Sequence, residues 1–373
     1  MKFLIVTHAV HKNIEGKYFA YAPYVREMNL WLKEEDDLII VAPITKEELQ
    51  AIELAYSYKN IKFIPIPEFN VTSIRAIIKT TFLLPVLFFQ IFRGMLQSNH
   101  IHLRSPGNVG LLGCVVQVFF PFKMKTAKYA GNWDWNSKQP WSYRLQQRIL
   151  RNTFFTRNMR VLVYGDWNET KNIKPFFTAS YSEKEISVTP PRSFEKDKPI
   201  KFIYVGALSE GKRPMLSLEV IKELYTKNIP CEMNLYGEGK DREELENYIS
   251  KNELHDIAFL HGNVDALELK KAYQESHFLL FISKSEGWPK AVAESMFWGC
   301  LPLTSLVSCV PEMIGYGTRG ELIEPKVELI VEKIMHLKDH PMIYKEKCQL
   351  AMDWSRNFTL EKFEKEIKNL TKN

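Results

Sequence analysis

Apolar residues in the first half of the chain fall into short runs bounded by charged or turn-forming residues, with longer periodic stretches between them. The runs at 2–6, 37–42, 61–66, 100–104 and 126–130 are too short for helices and read as strands. Residues 21–32 repeat apolar positions at helical spacing, and Pro23 stands early enough in that stretch to be tolerated. The pattern weakens from 157 to 198. Pro175, Pro190 and Pro191 interrupt it there, and the charge-rich stretch 193–199 reads as a linker. A second alternation follows, with predicted strands at 201–205, 232–236, 258–261, 278–283, 300–304 and 320–323. Its predicted helices are 214–227, 241–252, 266–275 and 289–298, and a last helix lies near 360–372. Such alternation predicts parallel sheets covered on both faces. The fold class is α/β: two Rossmann-like domains, 1–192 and 193–373, facing a central cleft, with the last helix placed to return to the first domain. Ligands in such sheets sit beyond the carboxyl ends of the strands.

The length of 373 residues suits two domains. Fifty Lys and Arg against 44 Asp and Glu leave a net +6. That excess suits phosphate-bearing ligands and falls far short of a nucleic-acid footprint. The cysteines Cys114, Cys231, Cys300, Cys309 and Cys348 are scattered, with no CxxC pair. This points to reduced thiols in a cytoplasm-like compartment and to no zinc site. The apolar run in the opening MKFLIVTHAV is too short for a signal peptide. Residues 82–92 are the most apolar stretch, too short to span a bilayer and containing Pro85. With Arg75, Lys79 and Arg93 beside them, they fit either a helix on an anionic membrane face or one buried on the first sheet. Burial is preferred, because an α/β domain needs such a helix in its core.

The sharpest chemical signal is the segment SKSEGWPKAVAESMFWGCLPLT at 283–304. A buried strand, a polar loop and a helix opening at Pro289 would leave backbone N–H groups free for an anionic or hydroxyl-rich ligand. Gly287 permits close backbone approach. Glu286 in the loop and Glu294 on the helix can each grip a pair of vicinal hydroxyls, since a carboxylate is a double acceptor. The segment resembles the E-x7-E motif of retaining glycosyltransferases of the two-Rossmann (GT-B) architecture, the group 1 or family 4 class. The resemblance implies that Glu286 binds donor-sugar hydroxyls, that Gly287, Trp288 and Pro289 line sugar and phosphate, and that Glu294 holds the ribose diol. Residues 204–214, YVGALSEGKRP, resemble the family's V-G-R-L-x-x-x-K-G/R-P segment. That match implies Gly206 at the turn and Lys212 on the donor diphosphate. Ala207 stands where the family has Arg, and Arg213 is placed to compensate.

Weaker matches add Gly237 in the G-x-G turn and His261 at the next strand end, both toward the nucleoside. Residues 308–315 resemble the family's G-G-V-P-E-x-I segment, with Ser308 and Cys309 in place of glycines. In the first half, Gly16 falls in a loop that approaches phosphates and acceptor in relatives. His102 lies at a strand end where relatives often carry His, with either a catalytic or a core role open. Arg104 shares its face by strand alternation. Ala130 replaces a frequent His, and Asn132 and Trp133 are candidates to shape an acceptor pocket. The resemblance implies transfer of a sugar from a nucleoside-diphosphate sugar to a glycan or lipid-linked acceptor, with retention, in bacterial surface polysaccharide synthesis. It implies no metal and no cofactor beyond the co-substrate. Expected partners are donor and acceptor, with peripheral membrane contact open and no nucleic acid. The location would be cytoplasmic, at or near the inner membrane face. Ala207 and Ala130 keep open a non-catalytic nucleotide-sugar-binding or scaffold protein; a nucleotide-sugar epimerase of the same architecture also stays open.

Overall fold

The computed structural model describes residues 1–31, 37–50, 52–58, 60–69, 73–167, 170–196 and 198–371. Leu32, Asp197 and Lys372 of the predicted segments lie outside them. The chain divides into two units, Met1–Phe177 with Glu364–Asn373, and Thr178–Phe363.

The first unit runs β1 (Lys2–Val6), β2 (His11–Ile14), β3 (Lys17–Tyr21), α1 (Ala22–Trp31), β4 (Asp37–Thr45), β5 (Glu53–Ala55), β6 (Ile61–Ile66), α2 (Ile74–Gln97), β7 (His100–Ser105), α3 (Asn108–Val116), β8 (Met124–Tyr129), α4 (Trp141–Arg151), β9 (Met159–Tyr164) and β10 (Ile173–Phe176). Seven of these strands pair in parallel in the order β6-β4-β1-β7-β8-β9-β10. Phe3, Leu4, Ile5 and Val6 of β1 are wholly buried, as a strand covered on both faces requires. The stretch after β1, expected as a loop, is instead a hairpin. β2 and β3 pair antiparallel, β2 adds to the far end of β4, and β5 adds to β3. α2 is longer than the apolar run that announced it. Leu87, Ile91 and Met95 are buried, while Phe82, Val86 and Phe89 are exposed. Gly94 permits the close contact with the sheet, since a Cβ there would come within 2.8 Å of Val41 Cγ2. The helix thus has a core face and a bare face.

The second unit runs β11 (Ile200–Val205), α5 (Pro214–Thr226), β12 (Cys231–Tyr236), α6 (Arg242–Lys251), β13 (Ala258–Gly262), α7 (Ala266–Glu275), β14 (Phe278–Phe281), α8 (Lys290–Phe297), β15 (Leu301–Ser305), α9 (Val310–Met313), β16 (Glu321–Ile323), α10 (Val327–Asp339), α11 (Pro341–Ser355) and α12 (Leu360–Thr371). Its strands are all parallel in the order β13-β12-β11-β14-β15-β16. Read by position along the chain, both units have the doubly wound order 3-2-1-4-5-6, with one further strand at the end of the first.

The split at 177/178 precedes the boundary expected at 192/193. The reason is that 178–196 is tied into the second unit. Arg192 donates to the carbonyls of Tyr273 (2.9 Å), Gln274 (2.8 Å from Nε) and Trp298 (2.7 Å), clamping the carboxyl ends of α7 and α8. Glu185 pairs with Lys270 at 3.2 Å. The last helix is shared: residues from Glu364 onward group with the first unit, where Arg160 donates to the Asn369 carbonyl at 3.1 Å.

Candidate active site

In a doubly wound sheet the crevice opens where the chain reverses its winding direction. In the second unit that point lies between β11 and β14. The loops leaving these strands are 206–213 and 282–289, the two segments singled out above. They are bonded to each other. Lys284 N and Ser283 Oγ both donate to Gly211 O, at 2.8 Å and 3.4 Å. Arg213 holds left-handed backbone, φ 51° and ψ 48°, directly before Pro214 opens α5. Its Nη1 reaches Ile282 O at 3.5 Å. A non-glycine residue in that conformation is strained and needs its surroundings to hold it.

Across the crevice Lys212 Nζ is ion-paired with Glu286 Oε1. The Glu286 side chain is 9% exposed and that of Lys212 30%, so solvent reaches the pair through the lysine. The ammonium also lies 5.6 Å from the centre of the Phe281 ring. Gly287 follows, and its carbonyl accepts from Cys309 Sγ at 3.2 Å and Ser308 Oγ at 3.4 Å. The residues standing in place of the family's glycines therefore brace this loop, with Ser308 itself at φ 50°. Trp288 stacks on Trp354 and meets Phe358 edge-on. Pro289 is the residue before α8, and no side chain caps that end. One turn on, Glu294 accepts from Ser180 Oγ at 2.5 Å and Tyr273 OH at 3.3 Å. These hydroxyls fix the carboxylate before any ligand arrives.

Gly206 and Gly237 belong to neighbouring strand-end turns that pair with each other. Gly206 N donates to Tyr236 O at 3.0 Å, and Gly237 N to Gly262 O at 2.8 Å. Gly237 has φ 134°, and a Cβ there would lie 2.0 Å from Gly206 O, so only glycine fits. His261 stacks on Tyr236 with ring centres 4.5 Å apart and is hydrogen-bonded to Asn234 Oδ1 at 2.7 Å. Its ring stands exposed on the face of an edge strand, two strands from the crevice.

The first unit treats its candidates differently. His102 is wholly buried: its Nδ1 is hydrogen-bonded to Thr126 Oγ1 at 2.9 Å, and its ring packs on Trp31 and Phe3. Burial, with Arg104 nearby, holds its pKa well below the usual imidazole value. It is a core histidine. Arg104 is turned inward too. It lies beside Lys128 across paired strands, and both bind Glu27 of α1, with Arg104 Nη1 at 2.5 Å and Lys128 Nζ at 2.9 Å. Burial opposes charge on Glu27, but the two cations overcome it and hold the carboxyl below its usual range. Trp133 is wholly buried edge-on to Tyr129, and the Asn132 side chain accepts from Asp134 N at 2.9 Å. These residues shape the core and a turn rather than a pocket wall. Gly16 sits at the tip of the β2–β3 hairpin with Glu15, both at positive φ, as a two-residue type I′ turn demands.

The residue that sequence reasoning passed over is His8. The first unit winds outward from between β1 and β7. Exposed His8 leaves β1 there, against Gly107 at the start of α3; a Cβ on Gly107 would lie 3.0 Å from His8 Nδ1. Its only sequence signal is its place directly after the first strand. Among the described residues no group of three or more His, Cys, Asp or Glu is placed to hold a metal ion.

Comparison with known families finds a likeness within the second unit. The description "Glycosyl transferases group 1" matches residues 185–357. That segment is similar to the glycosyl transferases group 1 family. An uncharacterized glycosyltransferase of Methanocaldococcus jannaschii is 27% identical over 43% of this chain and 44% of its own length. Lipopolysaccharide 1,6-galactosyltransferase of Salmonella typhimurium is 29% identical over 39% of this chain and 40% of its own. The chain thus spans less than half the length of these relatives. Solved structures extend the likeness in fold to the whole chain. Sucrose-phosphate synthase of Thermosynechococcus elongatus aligns over 99% of this chain and 98% of its own, with TM-score 0.70 and 14% identity. Anabaena HepE in complex with UDP and glucose aligns over 99% and 98%, with TM-score 0.69 and 10% identity. The fold is the GT-B type, two Rossmann-like domains.

Proposed function

We propose that the chain is a glycosyltransferase that moves a sugar from a nucleoside-diphosphate sugar to a glycan or lipid-linked acceptor with retention of configuration. Its setting is bacterial surface polysaccharide synthesis, at the cytoplasmic face of the membrane. The observation that carries the reading is the accessible Lys212–Glu286 pair at the winding reversal of the second unit, with Glu294 one turn into the next helix. When a donor enters, its diphosphate competes for Lys212 and frees Glu286 to accept from sugar hydroxyls. The bond from the anomeric carbon to the diphosphate oxygen breaks, the acceptor oxygen takes its place, and the acceptor's hydroxyl proton passes to the departing diphosphate. Lys212, Arg213 and the start of α8 meet the charge that builds on the departing diphosphate. Glu294, already held by Ser180 and Tyr273, accepts from the ribose hydroxyls. Protein groups supply the positive charge, and no metal or cofactor is given a part. The likeness to a lipopolysaccharide 1,6-galactosyltransferase supports the setting.

Ala207 favours a second reading, a protein that binds nucleotide sugar without turning it over. Its methyl offers no charge where the family has Arg, and Arg213 already reaches the Ile282 carbonyl. One experiment separates the two. Purified chain is titrated calorimetrically with UDP-, GDP-, ADP- and TDP-sugars, and release of free nucleotide is followed, with Glu294→Ala alongside. Binding of one donor, weakened in the variant, with slow nucleotide release supports the transferase. Binding without release favours the second reading. Binding of no donor removes both.

A further inference from the structure

α2 packs against α3 and α3 against α4, forming one helical layer on the first unit. The outer side of this layer is bare. Phe82, Phe89 and Leu96 of α2 are 80%, 61% and 61% exposed, Phe119 and Phe122 after α3 are 61% and 85%, and Phe154 after α4 is 75%. These are neighbours rather than scattered residues. Phe119 meets Phe88 edge-on at 5.9 Å. Lys123 Nζ donates to Leu96 O at 2.9 Å and Ser98 O at 2.6 Å. Asn158 Nδ2 donates to Pro121 O at 3.1 Å, and Gln117 Nε2 to Phe155 O at 3.0 Å. An apolar face of this extent on a protein surface marks an interaction site.

Charge says what kind. Residues 69–164 hold thirteen Lys and Arg and one acidic residue, Asp134, in a chain whose total is +6; of the thirteen, Lys125 and Lys128 are buried and Arg104 is paired with Glu27. Arg75, Lys79 and Arg93 of α2, Arg144 and Arg148 of α4, and Arg157 are exposed among the apolar side chains. A second copy of this chain would bring two such positive faces together. Nucleic acid would find the basic residues interrupted by aliphatic and aromatic ones. An anionic bilayer matches both properties at once, taking the rings into the acyl boundary and the cations among its headgroups. α2 lies on such a surface and does not cross it, because Leu87, Ile91 and Met95 are committed to the core beneath. We propose that the outer side of the α2–α3–α4 layer is a docking face for anionic lipid bilayers.

The test needs no sugar donor, so it stands apart from the transferase reading. Full-length chain is floated with vesicles of phosphatidylglycerol and phosphatidylcholine, one to three, and with phosphatidylcholine alone, at low and high salt. Anionic vesicles should carry the chain, and salt should release it. Arg144→Ala/Arg148→Ala should weaken binding about 25-fold, near fivefold per cation. Phe82→Asp/Phe89→Asp and Phe122→Asp/Phe154→Asp should each weaken it at least about tenfold. All these side chains are exposed, so melting temperatures should hold within a few degrees and certify the folds. The proposal is overturned if the wild-type chain leaves anionic vesicles unbound or binds neutral ones equally. It is also overturned if the aspartate variants bind as before, or if the same substitutions dissociate a dimer or a DNA complex while vesicles never bind.

Discussion

Lys212 and Glu286 stand on loops beyond the strand ends of the second unit, with the lysine 30% exposed. Arg104, Lys128 and Glu27 in the first unit make an equally tight ionic group, but their side chains are 13%, 1% and 5% exposed. Both groups sit on doubly wound sheets of the same strand order. The difference lies in how the charges meet solvent. An accessible pair can exchange its partner for a phosphate or a hydroxyl. A buried triad is committed, since removing one member leaves the others charged in a low dielectric. A cluster of charges near strand ends therefore marks a ligand site only when its partners can be traded.

The contrast can be tested most strongly with acid. Burial pushes His11 and His100 down to about 4, and His102 lies well below its usual value. In the second unit His277, also pushed down to about 4 by burial, is the one histidine counted as buried among the described residues. Unfolded imidazole titrates near 6.5. Above that pH these groups are neutral in both states and contribute nothing. Below it, down to about 4, the unfolded chain takes up protons that the folded core refuses, at about 1.4 kcal/mol per group and pH unit. By pH 5 His11 and His100 together should cost the first unit roughly 4 kcal/mol, with His102 adding to the same sign. Hydrogen exchange at pH 7 and pH 5 should show protection lost first in β1, β7 and β8. Equal loss in both units would count against the contrast.

Arg104→Met comes next. It leaves Lys128 to hold Glu27 alone and should destabilise by about 3–5 kcal/mol in denaturant unfolding, with donor affinity of the folded fraction intact. A stable variant with lost transfer would return Arg104 to the site. Lys212→Ala should do the reverse, lowering turnover by about 10²–10³ with stability nearly unchanged. Retained turnover would remove Lys212 from the mechanism. Glu294→Ala loses hydrogen bonds to a charged acceptor and should weaken donor binding roughly 10–100-fold by calorimetry. An unchanged affinity would mean that Glu294 serves only Ser180 and Tyr273. The smallest effect is expected at Gly16→Ala, about 1 kcal/mol from positive φ in the hairpin, with no change in turnover; a large kinetic loss would restore the hairpin tip to the site.

What was legible along the chain was local. Short apolar runs between turn residues become strands because a buried strand needs no alternation. The loop-to-helix chemistry of Glu286, Gly287, Pro289 and Glu294 is written in consecutive residues. The tip at Glu15 and Gly16 was equally local, and a two-residue turn with glycine could have been read there as a hairpin. Other features rest on partners far apart in sequence. Arg104 and His102 share a strand face, as alternation predicted, but that face turns inward because α1 brings Glu27 to Arg104 from 77 residues away. Trp133 disappears into the core beside Tyr129, and Arg192 becomes a clamp for two helix ends. His8 gains a place at the winding reversal only through strand order. The sequence by itself determined the two alternations and the loop that bears Glu286 and Glu294, because turn chemistry and periodicity act over a few residues. Tertiary structure alone decided which charges stay within reach of a ligand, because burial is a property of what packs over a side chain and not of the side chain itself.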